Sequence, residues 1–410
     1  MRVIIAGAGI GGLVAALALH EQGVEVQVYE AVPELAPLGV GINLLPHAGA
    51  VLQGLGALDE IRALGVETAE LCFFNRHGQL IWREPRGLAA GYPVPQVSVH
   101  RGRLQLALFD IVRRRLGDDA VRTGHRLQSL DTGGATGLPS VELVDRDGDR
   151  VVRDSADLVV GADGIHSRVR ATFYPDEGLP QWSGNVLWRA VSRHQAFLTG
   201  RSMFMAGHRP HKFVAYPITD ADADGMCTVN WIAELDRRAV GLADREDWNR
   251  KGDPAEFAPR FADWAFDWLD IPALIDEAEM VFEFPMVDRD PLPRWTFDRV
   301  TLLGDAAHPM YPIGSNGASQ AILDARSLAD ALAVESSVPA ALAAYEAGRR
   351  PKTAGIVLAN RQHGPERVMD MAEERSPGGF ASVADVFAPG ELEDISAQYK
   401  QVAGFQIPKR

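Results

Sequence analysis

A glycine-rich segment near the N-terminus, Gly7-Ala8-Gly9-Ile10-Gly11-Gly12, constrains the fold of this chain more than any other feature. It follows an apolar run at residues 3–5 that predicts a buried strand, and it opens a predicted helix from about residue 11 to residue 21. In such a unit, Gly7 allows the tight turn, Gly9 lets the backbone approach a pyrophosphate, and Gly12 lets the helix pack on the strand. The segment predicts a dinucleotide site; the alternative is a plain glycine-rich turn.

An acidic residue at the end of the next predicted strand supports the dinucleotide site. Val24, Val26 and Val28 alternate with polar residues and predict a strand that ends at Glu30. A carboxylate at this place can bond the hydroxyls of a ribose, and it would repel a ribose phosphate. Glu30 therefore favours FAD or NAD over NADP.

Two later segments repeat the pattern of an apolar strand that runs into a turn of glycine and aspartate. Residues 156–160 lead into Asp163-Gly164, and residues 299–303 lead into Gly304-Asp305, with a predicted helix at 319–334. A carboxylate at a strand end can bond a sugar hydroxyl, and the amides at a helix start can bond an electron-rich ring edge. The alternative for the earlier aspartate is a helix cap.

The three motifs, in this order and over residues 1 to about 360, resemble the FAD-binding domain of the group A (single-component) flavoprotein aromatic hydroxylases. This family includes para-hydroxybenzoate and salicylate hydroxylases. The resemblance implies a Rossmann-like α/β domain of the glutathione reductase type, with bound FAD and with NADH or NADPH as transient co-substrate. It also implies a monooxygenase that uses O₂ and a C4a-hydroperoxyflavin to hydroxylate a small aromatic or heteroaromatic substrate, with or without a carboxylate.

The resemblance further implies roles for individual residues of this sequence. The implied FAD contacts are Gly7, Gly9, Gly12, Glu30, Gly41, Arg101, Asp163, Gly164, Asp305, Gly314, Gly317, Ala318 and Ser319. Pro312 and His308 would wall the site of oxygen transfer. For Arg101, the alternative is a surface arginine.

Three stretches are most similar to the phenazine hydroxylases within this family, such as 5-methylphenazine-1-carboxylate 1-monooxygenase. They are residues 37–43, 286–293 and 317–324. All of them belong mainly to the flavin side of the implied site. They therefore support a subfamily and leave the substrate undefined.

Between residues 182 and 286 the sequence changes to short alternating strands, which predict an inserted mixed or antiparallel sheet. We expect a discontinuous FAD-binding domain at 1–181 and 287–370, a substrate domain at 182–286, and a C-terminal tail at 371–410.

Aromatic residues are concentrated in this predicted sheet. Five of the eight tryptophans lie in or near it: Trp182, Trp188, Trp231, Trp248 and Trp264. Trp188, Tyr216 and Trp231 are the candidates for an aromatic-lined substrate pocket. The alternative for most of these rings is the core of the sheet. Arg189, His208 and His211 are candidate contacts for an anionic substrate, and each is more often a solvated or structural residue.

Charge and cysteine content exclude several classes of protein. Lys plus Arg number 41 and Asp plus Glu 55, for a net charge of −14, which disfavours nucleic acid and anionic membranes as partners. Cys72 and Cys227 are too few for a disulfide framework or a cysteine-rich metal site, and they suit a reducing cytoplasm. No apolar run approaches the roughly 18 residues of a membrane helix. We expect a cytoplasmic monomer or homodimer without a metal.

Three other functions are compatible with an FAD fold. An FAD oxidase or a flavin-dependent halogenase would use the same domain, and an FAD-binding redox sensor would not be an enzyme. Halogenases carry a W-x-W-x-I-P element, and residues 268–272 lack its tryptophan pair.

Overall fold

The computed structural model describes residues 1–37, 39–134, 137–145, 148, 150–209, 211–241, 250–362 and 366–403, without the side chains of 399 and 401–403. Trp248, residue 38 of the phenazine-hydroxylase-like stretch and the end of the predicted tail lie outside the described residues.

A six-stranded sheet forms the first layer of the fold. Its strands are β1 (Arg2–Ala6), β2 (Glu25–Tyr29), β8 (Val121–Arg122), β12 (Leu158–Gly161), β20 (Thr296–Phe297) and β21 (Val300–Leu302). In the order β20-β21-β12-β1-β2-β8, all neighbours are parallel except the antiparallel pair β20 and β21. Successive residues of β1 and β12 are buried, so helices or loops cover both faces of the sheet.

A seven-stranded sheet forms the second layer. Its strands are β5 (Glu70–Phe74), β6 (Leu80–Pro85), β13 (Gln181–Gln195), β14 (Ser202–His208), β15 (His211–Pro217), β16 (Met226–Asp236) and β19 (Ala278–Asp288). The order is β19-β13-β16-β15-β14-β5-β6, and only β5 and β14 pair in parallel. The sheet therefore takes two of its strands from residues 70–85, well before the predicted insertion begins.

Three small sheets complete the strands of the described chain. They consist of β3 (Gly41–Leu44), β7 (Gln96–His100) and β4 (Gly65–Thr68); of β9 (Arg126–Asp131), β10 (Ser140–Val144) and β11 (Val151–Ser155); and of β17 (Ala265–Phe266) and β18 (Leu269–Asp270). The first of them carries Gly41 toward the large sheet.

Ten α-helices lie in the described chain. They are α1 (Ile10–Glu21), α2 (Pro46–Gly54), α3 (Leu58–Arg62), α4 (Arg101–Leu116), α5 (Arg168–Phe173), α6 (Ile271–Asp276), α7 (Gly317–Val334), α8 (Val338–Arg361), α9 (Arg367–Arg375) and α10 (Glu391–Ala403). Helix α1 buries most of its length because it is apolar on nearly every side, and it packs between the first sheet and α7.

The two faces of the seven-stranded sheet have different neighbours. On one face, Trp188 and Trp231 lie in an apolar cluster with residues from 257 to 275. On the other face, Leu187 contacts the loop around Tyr311, and Tyr216 belongs to a cluster with α9. Since alternate residues of a strand point to opposite faces, the second face is the one that meets the loop around Tyr311.

Candidate active site

The glycine-rich turn between β1 and α1 brings backbone segments so close together that side chains are excluded. Gly7 has a φ of +106°, and a Cβ there would lie 2.4 Å from the carbonyl oxygen of Ala162. A Cβ on Gly12 would lie 2.1 Å from the carbonyl oxygen of Gly7. Both positions therefore require glycine if α1 is to pack against the ends of β1 and β12.

Gly9 differs from these glycines because open space lies in front of it. A Cβ on Gly9 would meet no described atom within 4 Å. The first amides of α1 have no side-chain cap, so their N–H groups and the positive end of the helix dipole face this space. The carboxylate of Glu30 accepts a hydrogen bond from the amide of Ala8 at 2.7 Å and lies at the same turn. This arrangement suits a pyrophosphate next to a ribose.

The Asp163-Gly164 turn has a structural role of its own. The Asp163 carboxylate accepts hydrogen bonds from Ser167 Oγ at 2.5 Å and from the amide of Arg168 at 2.7 Å, and so caps the start of α5. Burial raises the pKa of Asp163, although these hydrogen bonds oppose the shift. The Asp163 side chain therefore acts as a helix cap in this structure, as in the alternative given above.

Arg170 connects this turn to the second Gly-Asp turn. Its guanidinium donates to the carbonyl oxygens of Ala306 and Ala307, both at 3.1 Å, and it also pairs with Glu177. Because the guanidinium is buried, these bonds fix the 304–308 segment against α5.

Asp305 is the exposed member of an otherwise buried turn. The residues on both sides of it are buried, while its own side chain is open to solvent. Protein atoms around the carboxyl still raise its pKa, and the nearby charges of His308 and Arg101 oppose that shift. Asp305 thus lies in a cleft, where its carboxylate is available to a ligand.

His308 does not face this cleft. Its side chain is buried, its Nε2 lies 2.5 Å from Oδ2 of Asp324, and its ring lies 5.3 Å from that of Trp295. The same Asp324 carboxylate accepts the amide of Gly304 at 3.1 Å. His308 therefore ties the Gly304-Asp305 turn to α7, which is a supporting position rather than a wall of an open site.

We use "Pro312 loop" for residues 309–316, which lead from this turn into α7. Pro312 itself is exposed. Gly314 and Ser315 both have positive φ, +68° and +58°, and Ser315 is one of three described non-glycine residues with this conformation. A positive φ at a non-glycine residue is strained and persists only because the surrounding structure enforces it. The turn therefore fixes the direction in which the backbone enters α7.

Helix α7 begins directly after the Pro312 loop. No side chain caps the helix at Asn316, so the N–H groups of Gly317 and Ala318 are left to a ligand or solvent. Ser319 is buried, and its Oγ accepts the amide of Leu45 at 3.1 Å. A helix start of this type stabilises negative charge on a group placed before it.

A polar group on the large sheet meets the loop that carries Gly41. The amide of Gly41 donates to Oδ1 of Asn230 at 2.7 Å, and its carbonyl accepts from Arg189 at 3.0 Å. A Cβ on Gly41 would lie 2.7 Å from that of Asn230, so the close contact requires glycine. Tyr216 lies beside both side chains, and burial raises the pKa of its phenol to about 12.

Arg101 begins α4 next to this group. Its side chain is exposed, and its amide donates to the carbonyl of Val40 at 2.9 Å. Burial lowers the pKa of Arg189, and the charge of Arg101 contributes to that shift. Arg101, Arg189 and the turn of Gly41 therefore lie together at the edge of the cleft.

The structure corrects two of the three predicted pocket residues. Trp188 and Trp231 are fully buried on the sheet face away from the Gly41 loop, with Phe257 stacked 5.1 Å from Trp188. Their indole N–H groups bond Glu283 and Ser192. These rings are core residues, because the strand alternation directs them away from the cleft. Tyr216 lies on the opposite, cleft-facing side.

Asn230 and Asp324 are the site residues that sequence reasoning missed. Asn230 is a fully buried amide in the apolar strand β16, and Asp324 is a fully buried carboxylate in the apolar part of α7. A lone polar residue at a core position was the available signal, since such a residue needs a partner or a function.

His211 was a candidate contact for an anion. Its ring packs 4.5 Å from that of Phe261 and 4.6 Å from that of Trp264. Burial lowers its pKa to about 4, so the imidazole is neutral near pH 7 and offers no charge to an anion.

Metal sites and membrane-spanning helices are both absent from the described residues. Within these ranges, no group of three or more His, Cys, Asp or Glu side chains is arranged to hold a metal ion. No described helix combines the length and apolar character needed to cross a bilayer.

The residues of the cleft fit FAD. An uncapped helix start and open space at Gly9 suit the pyrophosphate, Glu30 suits a ribose, Asp305 suits the ribityl chain, and the start of α7 suits an electron-rich ring edge. When bound, FAD supplies the redox and oxygen chemistry, and the protein supplies its position and electrostatics.

Comparison with known proteins identifies the family of this chain. The FAD binding domain family matches residues 1–359, so the chain belongs to that family. It is 49% identical over 405 residues to a phenazine 1,6-dicarboxylic acid hydroxylase of Lysobacter antibioticus, covering 98% of this chain and 96% of that protein. It is 31% identical to a 3-amino-4-hydroxybenzoate 2-monooxygenase of Streptomyces cremeus, covering 87% and 85%.

A solved salicylate hydroxylase substrate complex shares the fold, with a TM-score of 0.73, 23% identity, and coverage of 100% of this chain and 99% of that one. These comparisons confirm the predicted fold class, the FAD cofactor and the resemblance to phenazine hydroxylases. The chain is an FAD-dependent aromatic monooxygenase, and the predicted use of NAD(P)H is consistent with its family.

Proposed function

We propose that this monooxygenase hydroxylates a carboxylated heteroaromatic ring system of the phenazine type, and that Arg189 binds the carboxylate. The observation that carries the proposal is a buried guanidinium without an acidic partner. Among the described residues, no aspartate or glutamate lies in salt-bridge range of Arg189, and its Nε has no hydrogen-bond partner. A buried cation in this state is costly, and an anionic ligand offsets that cost.

The surroundings of Arg189 suit an aromatic acid. Asn230 presents a second donor, its Nδ2, which meets only the Tyr216 phenol. The Arg189 guanidinium lies 6.0 Å from the ring centroid of Phe284. Leu187, two residues before Arg189, is on the same face of β13 and belongs to the same apolar cluster as Phe284. One end of the site thus offers N–H donors to a carboxylate, and the next part offers apolar surface to a flat ring.

The experiment compares phenazine-1-carboxylate with phenazine-1-carboxamide. We expect Arg189→Met to weaken binding of the carboxylate by roughly 10- to 100-fold and that of the carboxamide by less than about three-fold. Arg193→Met is the matched control, because Arg193 lies on the same strand but pairs with Asp222 at the surface. Equal loss for both ligands together with loss of FAD would assign Arg189 to the cofactor instead.

Turnover tests the reaction itself. We expect each carboxylated substrate to stimulate NAD(P)H oxidation in air and to give about one hydroxylated product per NAD(P)H consumed. Yellow, FAD-loaded protein that oxidises no NAD(P)H with any aromatic acid would contradict the enzyme and favour the redox sensor. Turnover to H₂O₂ alone would favour an oxidase.

The proposed cofactor contacts include all of the FAD contacts predicted from the sequence. FAD would be held by Gly7, Gly9, Gly12, Glu30, Gly41, Arg101, Asp163, Gly164, Asp305, Gly314, Gly317, Ala318 and Ser319, with Pro312 beside the site of oxygen transfer. The domain division is proposed with the boundaries 1–181 and 287–370, 182–286, and 371–410, and with residues 70–85 contributing to the sheet of the second domain.

We propose that the enzyme works in the cytoplasm as a monomer or homodimer, on small aromatic substrates and O₂. Its two free cysteines are buried, which suits a reducing compartment. The net charge of −14 argues against nucleic acid or an anionic membrane surface as a partner.

A further inference from the structure

A cavity of about 300 Å³ opens on the cleft-facing side of the large sheet, beyond the residues that surround Arg189. Its walls come from the sheet, the Pro312 loop and α9, including Asn185, Lys212, Glu234, Ile313 and Met369. Tyr311 also lines it, so the cavity reaches the residues that flank Pro312. Its volume is at the lower end of the range for small-molecule sites.

Strand alternation places this cavity in line with Arg189. On β13, Asn185, Leu187 and Arg189 share one face, and Asn185 lies four residues, or about 13 Å, from Arg189 along the strand. On the neighbouring β16, Asn230, Ile232 and Glu234 share the corresponding face. Ile232 lies opposite Arg189, Asn230 meets Arg189 at the Gly41 loop, and Glu234 bonds Asn185 diagonally across the strand pair. The face therefore has a polar end, an apolar middle and a second polar end.

The apolar middle separates the two ends with large side chains. It is formed by Leu187, Phe284, Met286, Tyr311 and Ile313, which make one apolar cluster between the sheet and the Pro312 loop. Such a band suits the faces of fused aromatic rings.

The two polar ends have opposite hydrogen-bond character. Near the Gly41 loop, the available atoms are donors: Arg189 Nε has no partner, and Asn230 Nδ2 meets only the Tyr216 phenol. In the cavity, Asn185 is 3% exposed, and its Oδ1 is an acceptor without a partner. The orientation of this amide is set by Glu234, whose carboxylate accepts from Asn185 Nδ2 at 2.5 Å.

The cations around the cavity are already engaged. The Lys212 ammonium is buried between the carboxylates of Glu234, at 2.7 Å, and Glu366. The other cations pair as Arg209 with Asp370, Arg238 with Asp236, and Arg361 with Asp288 and Asp290. A ligand that enters the cavity can therefore donate a hydrogen bond to the free acceptor Oδ1 of Asn185.

We propose that this cavity is the far half of the substrate site, and that the substrate carries a hydrogen-bond donor, a hydroxyl or an amino group, on the ring most distant from its carboxylate. The inference rests on the proposed function, because it takes Arg189 as the carboxylate end. A ligand with one ring is too short to reach both ends, whereas three fused rings with a substituent at each end span them.

The experiment uses the FAD-loaded enzyme and three ligands: phenazine-1-carboxylate, its analogue with a hydroxyl on the far ring, and phenazine-1,6-dicarboxylate. We expect the hydroxyl to tighten binding by roughly 3- to 10-fold in the natural chain. Asn185→Leu should abolish this gain and leave the Kd of the parent carboxylate within about two-fold. FAD absorbance of the variant checks that it has folded.

A second variant keeps the test decisive if Asn185→Leu does not fold. Met369→Trp fills the cavity from α9, and we expect it to weaken all three-ring ligands by ten-fold or more while salicylate binding stays within two-fold.

Three results would overturn the inference. A far-ring hydroxyl that gains nothing in the natural chain would mean that the cavity holds only water. Asn185→Leu that weakens parent and hydroxylated ligand equally would assign Asn185 to the fold. Tighter binding of the dicarboxylate than of the hydroxylated ligand would make the far end a cationic subsite. In each case the proposed function stands as long as phenazine-1-carboxylate is bound and hydroxylated; if it is not, the proposed function itself fails.

Discussion

The carboxylate of Asp324 lies 2.5 Å from Nε2 of His308, at the buried junction where the Gly304-Asp305 turn meets α7. The other oxygen of Asp324 accepts from Nε of Arg349 at 2.6 Å. Although burial opposes ionisation, His308 and Arg349 lower the pKa of Asp324 to about 2. One buried carboxylate thus fixes the Gly304-Asp305 turn, helix α7 and a cation relative to each other.

Asp324→Asn should destabilise the protein by about 3–5 kcal/mol, because it leaves Arg349 buried without its counter-charge. FAD should also bind more weakly, since the turn and the start of α7 lose their common anchor. Denaturant unfolding and FAD titration measure the two effects. The control is Asp330→Asn on the exposed side of the same helix, where the ion pair with Arg326 is worth no more than about 1 kcal/mol. Similar costs for the two variants would contradict the anchoring role.

Gly9→Val should yield folded protein without bound FAD. A side chain at this position meets no described atom, so the fold has room for it, but it would occupy the space needed for the pyrophosphate. Gly348→Val is the matched control, since Gly348 is exposed in α8 and also has open space. Absorbance of the purified proteins decides the matter: a yellow Gly9→Val protein would refute the pyrophosphate site.

The two aspartates of the Gly-Asp turns should respond differently to alanine. Asp305 has no hydrogen-bond partner in the described chain, so Asp305→Ala should leave stability nearly unchanged and weaken FAD binding by roughly ten-fold or more. Asp163 caps α5, so Asp163→Ala should cost about 1–2 kcal/mol of stability. Unchanged FAD affinity in Asp305→Ala would show that this turn is only structural.

Trp231→Phe should affect the fold and spare the substrate. The indole is fully buried and donates to Ser192 at 2.9 Å, so its loss should cost about 1–3 kcal/mol of stability. The Kd of an aromatic acid should stay within two-fold, whereas Tyr216→Phe, on the cleft-facing side, should change it. A weaker Kd in Trp231→Phe than in Tyr216→Phe would restore the original prediction for this tryptophan.

His211 should make stability depend on pH between about 6.5 and 4. Burial lowers its folded-state pKa to about 4, so the unfolded chain takes up the proton first as the pH falls, and the free energy of unfolding decreases through this window. After allowance for partial exposure, His211→Phe should reduce the loss between pH 7 and pH 5 by roughly 1–2 kcal/mol. Parallel pH profiles of the two proteins would contradict this role.

The sequence predicts the helices and turns whose formation depends on residues close together along the chain. The predicted helix at 11–21 is α1 (Ile10–Glu21), and the helix predicted at 319–334 is α7 (Gly317–Val334). The turns at Gly7 and Gly304 follow buried strands as expected, and both residues have a positive φ, which favours glycine.

Contacts between distant segments were not predictable in the same way. Alternation shows that residues 188 and 190 of a strand share a face, but it does not show which face meets the cleft. The prediction of Trp188 as a pocket residue therefore places it on the wrong face of the sheet. The partnership of His308 with Asp324 also depends on how α7 returns to the sheet, which the local sequence does not encode.

The parallel pairing of β5 with β14 makes the seven-stranded sheet a unit of two separate chain segments. A hybrid enzyme that received only residues 182–286 of a relative would keep the host's β5 and β6 at one edge, in contact with foreign side chains. Under the proposed domain division, an exchange of specificity between members of this family must therefore carry residues 70–85 along with the insertion. Selection on the proposed ring pocket then acts on both segments together.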